Sequence, residues 1–406
     1  MNPVINLIKN RAKDIHPLIV SYRRHFHQHP ELSFEEHNTS AFIQDVLTKH
    51  NIPFKNGIVK TGIVALIEGR NASKKTILLR ADMDALPIEE KNNVAYASKN
   101  KGVMHACGHD VHSACVLGAA IILNELKNEF EGTVKIMFQP GEEVLPGGAS
   151  LMINEGVLDS PIVSAALAQH VFPSMETGKV GFKTGMYMAS TDELYITVNG
   201  KGGHAAMPND YVNPLLIASK ILLELHKAFM EMPPAYSTLE ADNKPKPPTV
   251  LAFGKINGNG ATNVIPDEVK IEGTFRTMDE NWRASAHLKM KQIAEDVAKQ
   301  MNGLCEFRIE KGYPFLVNDE ALTKNCITWA KDYLGDNNVE ELPLRMTAED
   351  FAFITQKVPS CFYRLGTGNK AKNITSGVHT ATFDIDENAL RTGTGLMAYL
   401  AVKQLS

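Results

Sequence analysis

The chain has 406 residues, which is more than one ordinary hydrophobic core requires and enough for two domains. Hydrophobic residues make up 44% and charged residues 22%, a balance that excludes a chain disordered on compositional grounds. The 42 lysines and arginines nearly balance 46 aspartates and glutamates, and the net charge of -4 gives no support for nucleic acid or an anionic membrane as a partner.

The cysteines and the first residues of the chain suggest a cellular compartment. No apolar stretch with a small-residue cleavage site is visible near residue 1, so we expect no secretory signal. No apolar run approaches the ~20 residues that span a bilayer. The five cysteines are an odd, sparse set, which is typical of a reducing compartment rather than a disulfide framework. We therefore expect a cytoplasmic protein.

Helices and strands alternate in the first part of the chain. Apolar residues at helical spacing and short β-branched runs predict these elements. The predicted helices cover residues 15–26, 39–50 and 111–126, and the predicted strands cover 63–67, 76–80 and 132–138. This order predicts an α/β fold with a largely parallel central sheet and helices on both faces. Ligands of such sheets gather beyond the carboxyl ends of strands, where Asp82, Asp84, Glu142 and Glu143 lie in this sequence.

The middle of the chain has a different pattern. Strands are predicted at 194–198, 249–256 and 268–276, and helices at 213–230 and 281–300. This order suits a small α+β unit with an antiparallel sheet. A proline-rich stretch, 232–248, is predicted to be an exposed loop.

Strand and helix alternate again after Gly303. We therefore predict that a metal-binding catalytic domain comprises residues 1–188 and 303–406. Residues 189–302 are predicted to form a domain inserted into it.

The most informative segment is HACGHDVH, residues 105–112. Cys107 and His109 lie two residues apart before a predicted helix, and a thiolate and an imidazole are good ligands for a borderline divalent metal. An isolated Cys-x-His is more often a buried cysteine beside capping groups. Three histidines and an aspartate within eight residues favour the metal site instead.

Two pairs of acidic residues follow predicted strands. Glu142 and Glu143 repel each other and no turn requires them together, so one could bind a metal while the other acts as a general base. The alternative is a solvated acidic turn. In Asp82-Met-Asp84, one carboxylate could orient a metal-bound imidazole. The alternative is that these aspartates cap a helix or simply lie in a loop.

His170 and His379 complete the candidate ligands. Each has apolar neighbours in the sequence and, taken alone, is more typical of a core or loop histidine. They become candidates because the other ligands need partners.

Six motifs together resemble the M20 metallopeptidase family, and the resemblance covers essentially the whole chain. It is closest to the amidohydrolase branch, which includes hippurate hydrolases, auxin-conjugate hydrolases and N-acetyl-diaminopimelate deacetylases. The motifs are HQHPELSF from His27, RADMDALP from Arg80, HACGHD from His105, QPGEE from Gln139, GKGGHAAMP from Gly200 and NVIP from Asn263.

The resemblance implies a dinuclear metal centre that binds Zn²⁺, Mn²⁺, Co²⁺ or Ni²⁺. The implied ligands, with Cys107 bridging the two ions, are Cys107, His109, Glu143, His170 and His379. Glu142 would be the general base, and Asp84 would support a ligand. Other branches use an aspartate as the bridge and a histidine in the segment that corresponds to Asp82-Met-Asp. Both departures favour the thiolate-containing branch.

The same resemblance implies that the inserted domain is a lid and a dimerisation domain. His204 would stabilise the negative oxygen of the tetrahedral intermediate. In members of the family this histidine often comes from the partner subunit of a homodimer. Asn263 and Arg276 are candidates to bind the substrate carboxylate, because an amide and a guanidinium offer directed donors. The alternatives are a turn asparagine and a surface arginine.

We expect the protein to hydrolyse the amide bond of small N-acyl amino acids. One alternative is a dipeptidase or carboxypeptidase with the same metal pair, which would need an acidic anchor for the substrate's free α-amine. Another is a metal-binding homologue without catalysis, which need not keep Glu142 or His204.

Overall fold

The computed structural model describes residues 3–230 and 247–406. The exposed loop predicted at 232–248 therefore lies, except for its last two residues, outside the described residues. The α-helices are α1 Pro3–Asp14, α2 His16–Gln28, α3 His37–Lys49, α4 His109–Glu125, α5 Gly148–Asn154, α6 Pro214–Phe229, α7 Glu280–Gln300, α8 Glu320–Leu334, α9 Ala352–Thr355 and α10 Asn388–Leu405.

The strands run from the first third of the chain to its last. They are β1 Phe54–Ile58, β2 Gly62–Glu68, β3 Thr76–Asp82, β4 Thr133–Gln139, β5 Ala165–Glu176, β6 Val180–Phe182, β7 Gly185–Met188, β8 Asp192–Asn199, β9 Gly203–His204, β10 Thr249–Asn257, β11 Val264–Ile265, β12 Glu268–Thr277, β13 Leu304–Lys311, β14 Leu316–Asn318, β15 Val339–Glu341 and β16 Ser360–Gly368.

Contacts along the chain divide it into two compact units. Unit 1 comprises Met1–Tyr187, Val317–Leu344 and Asp350–Ser406, and unit 2 comprises Met188–Leu316 and Arg345–Glu349. Each unit has its own hydrophobic core. None of the described helices is long and apolar enough to cross a membrane.

Unit 1 is built on a large central sheet with the order β1-β2-β4-β3-β5-β16-β6-β15. Its inner strands β4, β3, β5 and β16 run parallel. Strands β3 and β4 are buried along their whole length, as their β-branched and apolar sequences require in a sheet covered on both faces. Helix α4 is buried from His109 to Leu123. The predicted α/β class with a mostly parallel sheet is confirmed.

Unit 2 contains an antiparallel four-stranded sheet with the order β10-β12-β8-β13. Buried and more exposed residues alternate along β8, so one face of the sheet packs on a core. Helices α6 and α7 contribute Ile221 and Met290 to that core. The predicted α+β pattern with an antiparallel sheet is therefore present in unit 2.

The borders between the units differ from the predicted ones in two segments. The prediction assigned residues 303–316 and Arg345–Glu349 to the catalytic domain, whereas the structure places both segments in unit 2. For the first segment the reason is that β13 pairs with β8 along its whole length, from Leu304 opposite Asn199 to Lys311 opposite Asp192. A strand's own sequence shows that it pairs but does not show which sheet it joins.

Candidate metal centre

The candidate site residues of unit 1 lie around three neighbouring parallel strands. Asp84 follows β3, Glu142 and Glu143 follow β4, and His170 lies within β5. Because the carboxyl ends of parallel neighbours meet at one edge of a sheet, these side chains come from distant parts of the chain to one place. Cys107 precedes α4 at this edge.

Two groups of potential ligand atoms share one residue. In each group all ligand atoms lie within 4.8 Å of one another. The first group is Cys107, His109 and His170, and the second is Cys107, Glu143 and His379. The structure thus brings together the five residues that the sequence suggested as ligands, with the cysteine in both groups. His379 is exposed, whereas Cys107, His109 and His170 are buried.

Two buried ligand atoms that lack hydrogen-bond partners indicate whether a cation fits here. His109 Nε2 and Glu143 Oε1 are buried and have no hydrogen-bond partner. The distance between them is 3.8 Å, and His379 Nε2 lies 3.3 Å from Glu143 Oε1 outside hydrogen-bonding geometry. Leaving such an atom unsatisfied costs about 1–3 kcal/mol. A thiolate, imidazoles and a carboxylate are the donors that borderline divalent cations prefer, so the residues fit a metal pair.

Hydrogen bonds orient two imidazoles toward the cluster. His109 Nδ1 lies 2.9 Å from the backbone oxygen of Asp84, and His170 Nδ1 lies 2.9 Å from that of Val171. A carbonyl oxygen only accepts, so each Nδ1 carries the proton and each Nε2 is left as a ligand atom. His170 Nε2 accordingly lies 3.5 Å from Cys107 Sγ. Burial and the nearby Arg364 lower the pKa of His170, which keeps the ring neutral.

Asp84 connects ligands from two segments. Its Oδ1 lies 3.1 Å from His109 Nδ1, and its Oδ2 accepts hydrogen bonds from Glu143 N at 3.0 Å and from Ser33 Oγ at 2.7 Å. Although burial opposes ionisation, these donors lower the pKa of Asp84. Its carboxylate has the contacts that a supporting role requires, and that role stays a prediction.

Glu142 lies beside the ligands. Its side chain is 9% exposed, and its Oε2 is 3.9 Å from His109 Nε2. Its Oε1 accepts a hydrogen bond from Asp350 N at 3.4 Å. The carboxylate is therefore fixed next to the candidate metal positions rather than pointing into solvent.

A buried network around Asp82 was not predicted. Asp82 accepts hydrogen bonds from Arg80 at 2.6 Å and from His112 Nδ1 at 2.6 Å, and His112 Nε2 accepts one from Val171 N at 2.9 Å. Both nitrogens of His112 are thus occupied by protein groups, although Asp82, His109 and His112 lie within metal-binding distance of one another. The HACGHDVH segment contains His112, but spacing alone could not show whether His112 binds a metal or only lies beside the ligands.

A second part of this network comes from much later in the chain. Arg80 Nη2 donates to Asp350 Oδ1 at 2.7 Å, and Gln139 Nε2 donates to Asp350 Oδ2 at 2.7 Å. Asp350 was missed because no motif marks it and it lies 211 residues from Gln139 in sequence.

The other three predicted residues belong to unit 2. His204 is exposed in β9 and pairs with Val264 of β11, and Ala205 N donates to Asn263 O at 3.0 Å, so His204 and Asn263 are close neighbours. Arg276 is half-buried rather than on the surface, and it donates to Met346 O at 3.2 Å. Their roles stay predictions.

Comparison with known proteins identifies the family. Residues 78–403 match Peptidase family M20/M25/M40. The chain belongs to this family. The chain is 38% identical over 376 residues to the N-acetyl-L-cysteine deacetylase of Bacillus subtilis, a match that covers 92% of this chain and 84% of that protein. It is 35% identical over 403 residues to thermostable carboxypeptidase 2 of Saccharolobus solfataricus, and 98% of each chain is covered.

A solved structure agrees with this assignment. The Bacillus subtilis YXEP protein, described as a dinuclear metal binding peptidase from the M20 family, matches with a TM-score of 0.80 and 33% identity. The match covers 97% of this chain and 99% of that chain. The predicted M20 resemblance is confirmed, and this M20 protein is a metal-dependent hydrolase of amide C–N bonds.

Proposed function

We propose that the protein hydrolyses the amide bond of N-acyl amino acids. The observation that carries the proposal is that Cys107 belongs to both ligand groups while the Glu142 carboxylate is held beside them. This arrangement suits two cations with a shared thiolate and a separate general base. The similarity to an N-acetyl-L-cysteine deacetylase supports an acylated amino acid as the substrate.

The side chains of unit 1 have distinct tasks in the proposed reaction. When bound by Cys107, His109, Glu143, His170 and His379, two divalent cations would lower the pKa of the attacking water and polarise the scissile carbonyl. Glu142 takes a proton from that water and later gives it to the leaving amine. Asp84 keeps the proton of His109 on Nδ1 and leaves Nε2 as the ligand.

Three residues of unit 2 complete the proposal. We assign His204 to the stabilisation of the negative oxygen that develops in the tetrahedral intermediate. Asn263 and Arg276 are assigned to the substrate carboxylate. A homodimer formed through the inserted domain also belongs to the proposal. Replacing His204 by alanine is expected to lower kcat without changing metal content, and an unchanged kcat would remove His204 from this role.

A peptidase is the second candidate. It is favoured by the 35% identity to a thermostable carboxypeptidase across nearly the whole chain. The same metal ligands and the same base would serve a peptide bond. The two candidates differ in whether the substrate has a free α-amine.

A substrate panel distinguishes the candidates. N-acetyl, N-benzoyl and indole-acyl amino acids and dipeptides would be incubated with metal-stripped protein, with Zn²⁺, Mn²⁺, Co²⁺ or Ni²⁺ added back. We expect metal-restored cleavage of the N-acyl amino acids. Preferential cleavage of dipeptides would favour the peptidase, and no cleavage of any substrate by metal-loaded protein would contradict both.

A further inference from the structure

Glu36 is a fully buried carboxylate whose hydrogen bonds reach the turn that carries Glu142 and Glu143. Its Oε1 accepts from Gly141 N at 2.9 Å and from Phe34 N at 2.8 Å. Its Oε2 accepts from Thr61 Oγ1 at 2.7 Å. The side chain is 0% exposed, and no lysine, arginine or histidine among residues 3–230 and 247–406 forms an ion pair with it.

Such a group is costly to keep in a core. Burial raises the pKa of Glu36, and the nearby Asp84 carboxylate raises it further. A buried charge without a cation is tolerated only when hydrogen bonds compensate for the lost water. Each of the three donors to Glu36 is therefore important, and one of them is the backbone amide of the residue immediately before Glu142.

Close packing also restricts the same turn. Gly141 has a φ of 59°, and a Cβ placed on it would lie 2.4 Å from the Phe34 ring. Phe34 itself has a φ of 64°, in the left-handed region that non-glycine residues rarely adopt. The Glu36 carboxylate accepts the amide hydrogens of both residues, so it joins two backbone positions that both have a positive φ.

A neighbouring side chain reaches the turn by a second route. Ser33 Oγ donates to Asp84 Oδ2 at 2.7 Å, and the same oxygen accepts from Glu143 N at 3.0 Å. The segment Ser33–Glu36, which follows α2, thus contacts the turn at Gly141 directly and at Glu143 through Asp84. The HQHPELSF motif covers Ser33 and Phe34 but stops before Glu36.

We propose that Glu36 is a positioning residue that sets the Gly141–Glu143 turn, and with it the general base and one metal ligand. The inference rests on the proposed function for the role of Glu142. It assigns no substrate contact to Glu36. The carboxylate acts through the Gly141 amide, and its loss would let the turn shift relative to His109 and Cys107.

Three variants test this proposal. Glu36→Met keeps the reach of the side chain but removes the acceptor, whereas Glu36→Gln keeps an acceptor for Gly141 N. Glu35→Gln, at an exposed neighbour, is the control. We expect Glu36→Met to lose about 10–100-fold in kcat or in the affinity for one Zn²⁺, because replacing residues that orient metal ligands has effects of this size. KM should change less than kcat. Glu36→Gln and the control should stay near wild type.

Steady-state kinetics measures kcat, and a competition titration with a chromophoric chelator measures the affinity for Zn²⁺ separately. Both are done on variants whose circular dichroism spectrum is that of the native protein. Folded Glu36→Met with wild-type kcat and wild-type Zn²⁺ affinity would overturn the proposal. Glu36→Met could bind Zn²⁺ more weakly while the wild-type protein cleaves none of the panel substrates. That result would support the positioning of Glu143 and contradict the proposed function. If Glu36→Met does not fold, Thr61→Val removes one donor to the carboxylate. A loss that Thr61→Ser restores would support the proposal, and no loss would overturn it.

Discussion

Glu142 and Glu143 are adjacent in sequence, yet their surroundings differ. Glu143 belongs to a ligand group with Cys107 and His379, and its Oε1 has no hydrogen-bond partner. Glu142 is held by the backbone amide of Asp350. Two neighbouring carboxylates with different partners can divide the work of binding a cation and moving a proton.

Replacing Glu142 by glutamine separates these tasks. The amide keeps the size of the side chain but cannot take a proton, so we expect kcat to fall by at least ~100-fold while two metal ions per chain remain. Steady-state kinetics and metal analysis by atomic emission would measure both quantities. Glu143→Gln, the matched variant, is expected to lose metal instead. Turnover at the wild-type rate in Glu142→Gln would remove Glu142 from its role as the base.

Cys107 is the single residue common to the two ligand groups. Replacing it by serine exchanges a soft thiolate for a hydroxyl, which is a poor ligand for Zn²⁺. We expect Cys107→Ser to hold fewer than two ions per chain under conditions that saturate the wild type. Cys115→Ser, at a buried cysteine that none of the candidate ligand groups contains, is the control. Full metal occupancy with normal activity in Cys107→Ser would contradict a bridging thiolate.

At the scale of elements, the turn after β4 depends on the absence of a side chain at Gly141. An alanine there must adopt a left-handed conformation, which costs about 1–2 kcal/mol, and its Cβ must displace the Phe34 ring, which adds about 1–3 kcal/mol. Gly57, in β1, also has a positive φ but has nothing within 4 Å of its Cβ position. We expect Gly141→Ala to reduce the free energy of unfolding more than Gly57→Ala. Chemical denaturation of both variants would measure the difference, and equal losses would contradict the tight packing.

The elements that position the site could be predicted because their signals are local. Apolar β-branched runs predicted β3 and β4, and the residues that follow them were expected beyond the carboxyl ends of strands. The structure groups Glu143 with Cys107 and His379, and it groups His170 with Cys107 and His109. His170 and His379 carried little signal of their own and became candidates because the other ligands needed partners.

Contacts between distant segments could not be predicted. The sequence of β13 predicts a strand, but the patterns of β13 and β8 do not show that these two strands pair. Asp350 and Glu36 are ordinary acidic residues in sequence, and their importance arises from burial against Arg80 and Gly141 respectively. Burial of a polar side chain is a property of the whole fold, and one sequence does not display it.

At the scale of the whole molecule, the proposed metal ligands all belong to unit 1. They come from separate segments of it, namely the loop before α4, the start of α4, the turn after β4, strand β5 and the residues before α10. A pair of cations would therefore link parts of unit 1 that lie far apart in sequence. Unit 2 has its own core and contributes none of these five ligands.

Metal removal should therefore destabilise one unit selectively. A cation that binds only the folded state adds about 2.7 kcal/mol when its free concentration is 100 times its Kd, and a chelator removes this contribution. We expect differential scanning calorimetry to show a transition of unit 1 that shifts to lower temperature with chelator and returns with Zn²⁺. The temperature of the unit 2 transition should not change. Trp282 lies in unit 2, so its fluorescence can assign that transition once the second tryptophan, Trp329, is replaced by phenylalanine. Equal shifts of both transitions would show that the two units unfold as one, and no shift on complete metal removal would contradict a metal centre that links the segments of unit 1.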